Sequence, residues 1–493
     1  MTDSAATTGL LARRRAGVLL HPTSLPGPGP NGVLGKAARR FVDYLAGAGF
    51  SVWQTLPLGP VDKFGSPYSL RSAYAGDMRL VDKQTLSSLP QLPAGLPCEG
   101  FESDPRGLYA AFCELATDSQ RAEFSEFLRE QRDWLLPYTL FEHSSARFDG
   151  APWWQWPAPY AACDRNTLFA AIAEDEDGFR ALAFQQYLFA LQWSSVKTYA
   201  NECGIQIFGD LPFYLDRNSV DVWWERRYFA LDDRGEPLAV AGVPPDYFSA
   251  DGQLWGNPLY DWDAMIADGF QWWHRRLAFH LQRFDLLRID HFRALESYWS
   301  IPAHAVSAQE GHWVPGAGEA LLSSLEAGGP LPLVAEDLGI ITDSVRDLRD
   351  RFRLPGMAVL QFAFDGKPDN PHLPANVAEH CVYYTGTHDN DTLFGWYLGL
   401  PDDVRDHVAR TLGVAVSALP GAAVRIALES SARLVIVPLQ DLLGLDSSAR
   451  MNTPGIAEGN WRWRFRWDQF DAQHSEQIER LLEDSRRAGS SCA

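Results

Sequence analysis

The sequence has few cysteines and none of the spacings that cysteine sites require. Six cysteines occur in 493 residues, and no two of them form a C-x-x-C pair. This scatter indicates neither a zinc knuckle nor a disulfide framework. It favours a protein of a reducing compartment, so we expect a cytoplasmic location.

Long apolar runs and an excess of basic residues are also missing. The N-terminal run at residues 17–20 is too short for the core of a signal peptide, and no stretch reaches the length of a membrane helix. The formal net charge of −20 would repel a polyanion. We therefore expect no nucleic acid and no membrane as a partner, and a neutral substrate fits the charge better.

Aromatic residues, by contrast, are abundant. They make up 12% of the chain and include 18 tryptophans. Flat aromatic rings suit the C–H faces of sugars as well as they suit a hydrophobic core. Burial in a core is the commoner case, so the tryptophans alone do not define a function.

Eight short apolar runs, many of them ending in a polar, Gly or Pro cluster, predict β-strands. They are residues 17–22, 51–58, 205–213, 286–292, 331–339, 357–364, 381–389 and 434–441. Helical patterns lie between several of them, which is the alternation of parallel α/β folds. The length also admits several small domains, but we predict one (β/α)8 TIM barrel with its active site at the carboxyl ends of the strands.

Uneven spacing between the runs predicts insertions into this barrel. The gap between the second and third runs is too long for one crossover helix, so we place a mainly helical inserted subdomain at residues 59–200. We also predict an active-site loop insertion at 215–265 and a smaller insertion at 294–330. The residues after the eighth run suffice for a loop and a closing helix but not for a C-terminal β domain. The whole chain, 1–493, is thus predicted to be a single catalytic barrel.

Several predicted strand ends carry acidic residues that suit the cleavage of a glycosidic bond. This reaction needs one carboxylate as nucleophile or base and another carboxyl group as a protonated acid. Asp290 ends LLRID, and Arg288, which shares its face of the strand, would keep it ionised as a nucleophile requires. Glu336 and Asp337 follow LPLVA, and one of them is the acid. A neighbouring carboxylate would raise the pKa of Glu336 and keep it protonated at neutral pH.

Two further acidic residues occupy similar positions. Asp389, in TGTHDND, lies next to His388, where the pair could hold sugar hydroxyls and a developing oxocarbenium charge. Asp210 lies in FGDLPF. Each acidic residue taken singly is explained equally well as a helix cap or as the partner of a surface arginine. Four of them at strand ends favour catalysis.

The segments GDLPFY, RIDHFR, AEDLG and TGTHDNDT resemble, in order and context, signature blocks of the amylomaltases, glycoside hydrolase family 77 of the α-amylase clan. Further similar blocks extend from LLHPTSLPGPGPNG near the start to RMNTPGIAEGNWRWRF near the end. The resemblance implies a 4-α-glucanotransferase that cleaves α-1,4-glucans by a retaining double displacement. The severed segment would pass to the 4-OH of glucose or of a maltodextrin. No metal or organic cofactor is implied, and no calcium loop or phosphate cradle is visible.

The resemblance also implies roles for individual residues. Asp290 would be the nucleophile, Glu336 the general acid/base and Asp389 the transition-state stabiliser. The donor subsite would be lined by Arg288, His388 and Asp210. Further substrate contacts are expected from Tyr68, Tyr247, Phe248, Trp255 and Asn257.

One segment departs from the family pattern. Residues 66–78 read SPYSLRSAYAGDM, where the family usually reads close to SPYQSFSAFAGNP. Tyr68 is retained as a candidate stacking platform, whereas Leu70, Arg71 and Asp77 differ. The donor-side sugar contacts of this segment are therefore open.

Two other functions would use parts of the same pattern. A hydrolase of the same clan, an α-amylase or α-glucosidase, would need the same three carboxylates. The aromatic loop PPDYFSADGQLWGNP favours transfer, because it could cover the intermediate and favour a sugar over water. Its alternative explanation is a surface segment packed on its own aromatics.

A non-catalytic glucan-binding protein is the rival from another class. The tryptophan clusters that would support it are Trp153, Trp154, Trp156, Trp461 and Trp463. Such a protein has no need for the acid and the nucleophile. The segment WRWRFRW, residues 461–467, alternates with period two, which predicts a strand with one buried aromatic face.

Overall fold

All eight predicted runs form strands, because each gathers apolar side chains over a length that a sheet can bury. The computed structural model describes residues 11–101, 103–245, 251–470 and 472–489. Within these ranges the strands are β1 (Arg15–Leu19), β2 (Val52–Gln54), β3 (Gln206–Leu211), β4 (Ala239–Val243), β5 (Gln253–Pro258), β6 (Leu286–Ile289), β7 (Ser297–Pro302), β8 (His312–Pro315), β9 (Leu333–Ala335), β10 (Gly356–Val359), β11 (Cys381–Tyr384) and β12 (Leu434–Pro438).

Eight of these strands form one parallel sheet in the order β10-β11-β12-β1-β2-β3-β6-β9. The two end strands of this order also meet, because the N–H of Ala335 donates to the carbonyl of Pro355 at 2.9 Å. The sheet therefore closes on itself. This confirms the predicted TIM barrel.

Strand alternation sorts the barrel side chains into two layers. Phe208 and Leu286 belong to an apolar layer inside the ring, whereas Leu287 packs with the layer that faces the surrounding helices. Asp210 and Arg288 each lie two residues further along the same strands. The period of two therefore directs both of them into the barrel, at the carboxyl end where active sites of this fold lie.

Helices surround the barrel and fill the long connections between its strands. In the described residues they are α1 (Lys36–Gly47), α2 (Lys83–Leu86), α3 (Pro105–Leu115), α4 (Asp118–Glu130), α5 (Arg132–Arg147), α6 (Ala158–Ala161), α7 (Arg165–Glu174), α8 (Glu176–Glu202), α9 (Val220–Trp224), α10 (Trp262–Ala267), α11 (Gln271–Arg283), α12 (Gly318–Glu326), α13 (Asp343–Arg351), α14 (Leu393–Gly399), α15 (Asp402–Leu412), α16 (Gly421–Glu429), α17 (Leu439–Leu442) and α18 (Ala472–Asp484). Helices α2 to α8 all lie between β2 and β3, where the sequence predicts helical structure. Their boundaries as a separate subdomain remain a prediction.

A second sheet, which the sequence did not predict, stands beside the barrel. It has four antiparallel strands in the order β5-β4-β7-β8. Strands β4 and β5 follow β3 in the chain, and β7 and β8 follow β6. The central contact joins these two stretches, since Val240 of β4 pairs with Ile301 of β7. One small sheet therefore links two of the connections at the carboxyl end of the barrel.

The segment WRWRFRW forms no strand, so that prediction was wrong. The N–H of Phe465 donates to the carbonyl of Ser24 at 3.2 Å, and the guanidinium of Arg464 donates to the carbonyl of Leu25 at 3.0 and 3.1 Å. Trp461 has a φ of 62°, which breaks any strand at its start. The segment lies along the loop after β1 and is held there mainly by side chains.

The chain after the barrel agrees with the remaining expectations. The predicted closing helix is α18. Among the described residues beyond Pro438, none is in a β-strand. No helix in the described ranges combines the length and the apolarity needed to cross a membrane.

Candidate active site

Arg288 lies between two carboxylates, those of Asp210 and Asp290, at the carboxyl ends of β3 and β6. Its Nη1 lies 2.9 and 2.7 Å from the two oxygens of Asp210, and its Nη2 lies 2.9 Å from Oδ1 of Asp290. Arg288 and Asp210 are buried, whereas 28% of the Asp290 side chain is exposed. The guanidinium thus balances two negative charges, and of the two carboxylates Asp290 is the accessible one.

The charges of this buried pair support each other. Burial raises the pKa of Asp210, and the adjacent Arg288 opposes that rise. Burial disfavours the charged form of Arg288, but the negative groups around it, Asp210 foremost, together outweigh burial and raise the pKa of the guanidinium well above its usual range. A fixed positive charge therefore lies directly behind Asp290.

Tyr68 closes this end of the cleft. Its hydroxyl donates to Oδ2 of Asp210 at 2.7 Å, and burial followed by the charge of Asp210 raises its pKa, so that the phenol stays protonated. The ring stacks on His388 with centroids 5.0 Å apart and planes 22° apart. Tyr68 therefore joins the β3 end to the loop after β11.

Glu336 follows β9, next to β6 in the barrel. Its Oε2 accepts the N–H of His291 at 2.8 Å, and its Oε1 accepts the N–H of Leu338 at 3.1 Å. Burial, opposed by Arg288 and reinforced by the negative Asp290, raises the pKa of Glu336 to about 7. A carboxyl group with this pKa can both give and take a proton near neutral pH.

Asp337 points away from the cleft. Its Oδ1 accepts the N–H of Met357 at 2.7 Å, and its Oδ2 lies 2.5 Å from Nη1 of Arg349 in α13. It therefore fastens β9 to β10 and to a barrel helix. Of the two carboxylates left open by the sequence, the structure places Glu336 beside Asp290.

Asp389 lies in the loop after β11, and 49% of its side chain is exposed. Nδ2 of Asn452 donates to its Oδ1 at 2.7 Å, and Nε2 of His388 lies 3.4 Å from its Oδ2. The surrounding walls partly desolvate Asp389, but His388 and Asn452 outweigh this effect and lower its pKa. In return, burial lowers the pKa of His388, but Asp389 outweighs it and the net shift is upward.

Trp461 completes an aromatic group around this loop. Its ring centroid lies 6.4 Å from that of Tyr68 and 6.0 Å from that of His388. The sequence pattern predicted burial in a strand for this residue, but the positive φ turns it to the cleft instead. The block RMNTPGIAEGNWRWRF marks this segment in the sequence, although it does not tell which of its residues reach the site.

His291 is a site residue that the sequence reasoning missed. Its backbone is in the left-handed region, with φ 47° and ψ 45°, which aims its N–H at Glu336. Burial lowers the pKa of its ring to about 4, so the ring is neutral at physiological pH. The ring meets Trp255 edge-on, with centroids 4.9 Å apart and planes at 81°. The predicted Trp255, 38% exposed, is thereby placed on the Glu336 side of the cleft.

The other predicted substrate-binding residues are less closely connected to the carboxylates. Nδ2 of Asn257 donates to the carbonyl of Leu215 at 2.9 Å, which fixes the loop after β3. Tyr247 and Phe248 lie outside the described residues. Their roles, and that of Asn257, stay predictions.

The departures from the family pattern at residues 66–78 are mainly structural. Leu70 is buried. Arg71 pairs with Glu142 of α5 at 3.1 Å. Asp77 pairs with Arg79 at 2.7 Å. Each of the three therefore makes its contacts within the surrounding helices and loops.

Most of the clustered tryptophans are packing residues. Trp153 and Trp156 are buried, as are Trp223 and Trp273. Trp154 lies under a guanidinium, 3.8 Å from its ring centroid. By contrast, the exposed Trp255 and the half-buried Trp461 lie near the carboxylates.

The arrangement can support acid and nucleophilic chemistry on one substrate. Asp290 is accessible and flanked by a fixed cation, and Glu336 is a neighbouring carboxyl group with a pKa near neutrality. Asp389 is held as an anion on the third side. Among the residues that the structure describes, no group of three or more His, Cys, Asp or Glu side chains is arranged to hold a metal ion.

Comparisons with known proteins agree with this arrangement. A family model described as 4-alpha-glucanotransferase matches residues 20–469. The chain is 42% identical to a 4-alpha-glucanotransferase of Thermus thermophilus, over 96% of this chain and 99% of that protein. It is 44% identical to one of Synechocystis, over 94% and 96%. Among solved structures, an amylomaltase from Streptococcus agalactiae in complex with acarbose superposes with a TM-score of 0.91, at 31% identity over 97% of this chain and all of that one.

Proposed function

We propose roles for the cleft residues on the premise that this chain belongs to the 4-alpha-glucanotransferase family, glycoside hydrolase family 77, and transfers segments of α-glucan. One observation carries the assignment. Glu336, with a pKa near 7, stands beside the accessible carboxylate of Asp290, and these are the acid and the nucleophile that a retaining glycosidic transfer requires.

In the first half of the reaction Asp290 attacks the anomeric carbon of an α-1,4-glucan donor. Glu336 gives its proton to the departing glycosidic oxygen, so the leaving chain departs as a neutral alcohol. Asp389 carries its negative charge close to the ring on which the oxocarbenium charge develops. Arg288 holds Asp290 in position through the 2.9 Å ion pair. The product of this step is a glucosyl ester of Asp290.

In the second half the same carboxyl group acts as a base. Once Asp290 is esterified, its negative charge no longer raises the pKa of Glu336, so Glu336 favours the ionised form. It then takes the proton of an acceptor hydroxyl, the 4-OH of glucose or of a maltodextrin, as this oxygen attacks the ester. Two inversions at the anomeric carbon give net retention.

The sugar contacts divide between the two sides of the cleft. Asp210, Arg288, His388 and Tyr68 form the donor side. This is supported by the contacts of Arg288 with Asp290 and of His388 with Asp389, and by the contacts of Asp210 with Arg288 and of Tyr68 with His388. Trp255 and Asn257, together with Tyr247 and Phe248 from the adjoining loop, form the acceptor side. This division is supported by the contact between Trp255 and His291, whose N–H holds Glu336.

Incubation with maltotriose and chromatography of the products tests the reaction as a whole. A ladder of longer maltodextrins together with glucose is expected, because each cleavage passes a glucosyl or maltosyl segment to another sugar. Products limited to glucose and maltose would show that water is the acceptor. Asp290→Asn, treated in the same way, should leave maltotriose unchanged.

The domain boundaries and the cellular location are proposed together with this function. The barrel spans residues 1–493, with insertions at 59–200, 215–265 and 294–330, and the strands and helices assigned above support this division. A cytoplasmic location is supported by the scattered cysteines. Limited proteolysis would test the first proposal, and cell fractionation would test the second.

A further inference from the structure

A cavity of about 200 Å³ lies outside the ring of barrel strands, away from the three carboxylates. The inserted helix α5 forms one side of it, and helices α9 and α11 with the loop at residues 72–74 form the rest. We call it the flank cavity. Its walls include Tyr74, Trp134, Asp221, Trp224, Arg275 and Phe279.

Three aromatic rings form one corner of the flank cavity. Tyr74 and Trp134 are nearly parallel, with planes 11° apart and centroids 6.4 Å apart. Phe279 meets Tyr74 at 5.0 Å and Trp134 at 5.5 Å, in both cases at 66°. Trp224 adds a fourth ring, whose face is backed by the guanidinium of Arg165 at 3.4 Å. These rings offer flat apolar faces held in fixed orientations.

Polar groups surround these faces. Asp221 is 5% exposed and lines the cavity, while its Oδ2 accepts the N–H of Ala73 at 2.8 Å. Glu225 pairs with Arg275 at 3.2 Å, which places hydrogen-bond acceptors and donors side by side. The mouth carries the acidic side chains of α4 and α5, Glu130 and Asp133.

This combination selects a ligand class. A wholly apolar ligand would exclude water from Asp221 and Glu225 and offer them no hydrogen bond in exchange, which is costly. An anion would meet four carboxylates and one guanidinium. A neutral polyol with apolar ring faces satisfies both sets of groups, because its C–H faces stack on the rings and its hydroxyls hydrogen-bond with the carboxylates and with Arg275.

We propose that the flank cavity is a second glucosyl-binding site, which holds one sugar unit of an α-glucan whose other segments reach the catalytic cleft or another molecule. The proposal rests on the action of this family on α-glucans. The volume equals that of roughly seven liquid waters, which suits one hexose ring. Tethering a polymer at a second point raises its local concentration at the enzyme, whereas a trisaccharide gains nothing from such a tether.

Calorimetric titration with α-1,4-thiomaltotriose, whose sulfur-linked bonds resist cleavage, counts the sites on the wild-type chain. We expect two molecules per chain. Ala278→Phe, which fills the flank cavity from α11 without removing a polar group, should bind one. Gln271→Phe introduces the same ring on the same helix outside the cavity and should still bind two.

Asp221→Asn provides a second variant that is matched in shape. Its amide oxygen can still accept the N–H of Ala73, so folding should be preserved, but the negative charge in the cavity is lost. We expect weaker binding at the second site only. For Ala278→Phe, KM for amylose should rise about threefold or more with kcat and the maltotriose kinetics unchanged.

Three outcomes would overturn the proposal. The first is that the wild-type chain binds only one molecule of thiomaltotriose. The second is that both Ala278→Phe and Asp221→Asn still bind a second molecule with unchanged affinity. The third is that the flank cavity binds tetramethylammonium but no sugar. Maltotriose disproportionation, measured on the same preparations, reports on the carboxylates alone. Its failure would contradict the proposed function and would leave the count of flank-bound sugars readable.

Discussion

At the scale of single residues, Asp290 is the group on which both halves of the proposed reaction depend. Asp290→Asn keeps the shape of the side chain but removes the charge that forms the covalent bond. We expect turnover of maltotriose to fall by about 10⁴-fold, with the melting temperature little changed. Asp343→Asn, the same exchange at an exposed helix start, should keep full activity. Activity within about tenfold of wild type would rule out a nucleophile at position 290.

Glu336 is tested by a donor that needs no acid. Glu336→Gln should cleave natural glucans very slowly, whereas α-glucosyl fluoride, whose leaving group needs no proton, should still form the ester with Asp290. Base catalysis of the second step is also lost, so this ester should accumulate. Mass spectrometry of the intact protein would detect it, and an absence of any adduct would remove the main support for retention.

The pKa of Glu336 also predicts how the rate depends on pH. The group must be protonated to act on a glucan donor, and its pKa is raised to about 7. As far as Glu336 determines it, kcat/KM for maltotriose should therefore be constant below pH 7 and should fall as the pH rises through 7. With α-glucosyl fluoride the fall should disappear, because no proton is required. The same alkaline fall with both donors would assign it to another group.

Single residues at strand ends were predictable because strand alternation is a local rule. Asp210, Arg288 and Asp290 could be placed inside the barrel from the period of two alone. Glu336 and Asp337 could not be separated in that way, since the strand β9 ends just before them. The hydrogen bond of Asp337 to Met357, between two neighbouring strands, settles their directions. That contact links residues 20 positions apart and has no signature in the local sequence.

At the scale of elements, the segment that follows α17 supplies an aromatic side chain to the proposed donor side. Trp461 lies beside Tyr68 and His388. Trp461→Ala should raise KM for maltodextrin donors by about two- to tenfold, the loss of one stacking partner, with little change in melting temperature. Steady-state kinetics would measure this.

A control for this prediction lies in the same segment. Trp467 packs on Phe465 and under the guanidinium of Arg40. Trp467→Ala should therefore lower the melting temperature and leave KM unchanged. If the two variants behaved alike, Trp461 would be a packing residue only.

The elements that were missed share physical features. Strands β5 and β8 are short and largely exposed, and they are stabilised by pairing with strands distant in sequence. Neither has the apolar alternation that reveals a half-buried strand. The segment 461–467 shows the reverse case. Aromatic and basic residues do alternate in this segment, but the aromatic side chains pack against a loop. The backbone N–H of Phe465 donates to the carbonyl of Ser24 and not to a strand.

At the scale of the whole molecule, one buried arginine joins the end of the chain to its beginning. Arg487 is fully buried and donates to the carbonyls of Leu428, Arg15, Ser430 and Ala432 at 2.6 to 2.9 Å. Arg487→Met should lower the free energy of unfolding by about 3 kcal/mol, because these buried carbonyls lose their donor. Denaturant unfolding would measure the change.

The neighbouring residue supplies the control for this prediction. Arg486 is exposed, so Arg486→Met should change the free energy of unfolding by a few tenths of a kcal/mol at most. Both variants should keep their specific activity at 25 °C. Equal stability of the two variants would mean that the carbonyls around Arg487 find other donors or water.

The small antiparallel sheet beside the barrel limits where homologous genes of this family can recombine. Its strands, between Ala239 and Pro315, belong to two different connections, one after β3 and one after β6. Strand β4 of the first connection is hydrogen-bonded along its length to β7 of the second. If only one of the two connections came from a homologous protein, its edge strand would have to pair with a strand from a different sequence. Recombination between homologous genes, natural or directed, should therefore yield working chimeras when both crossover points fall outside this stretch, and far fewer when one falls within it.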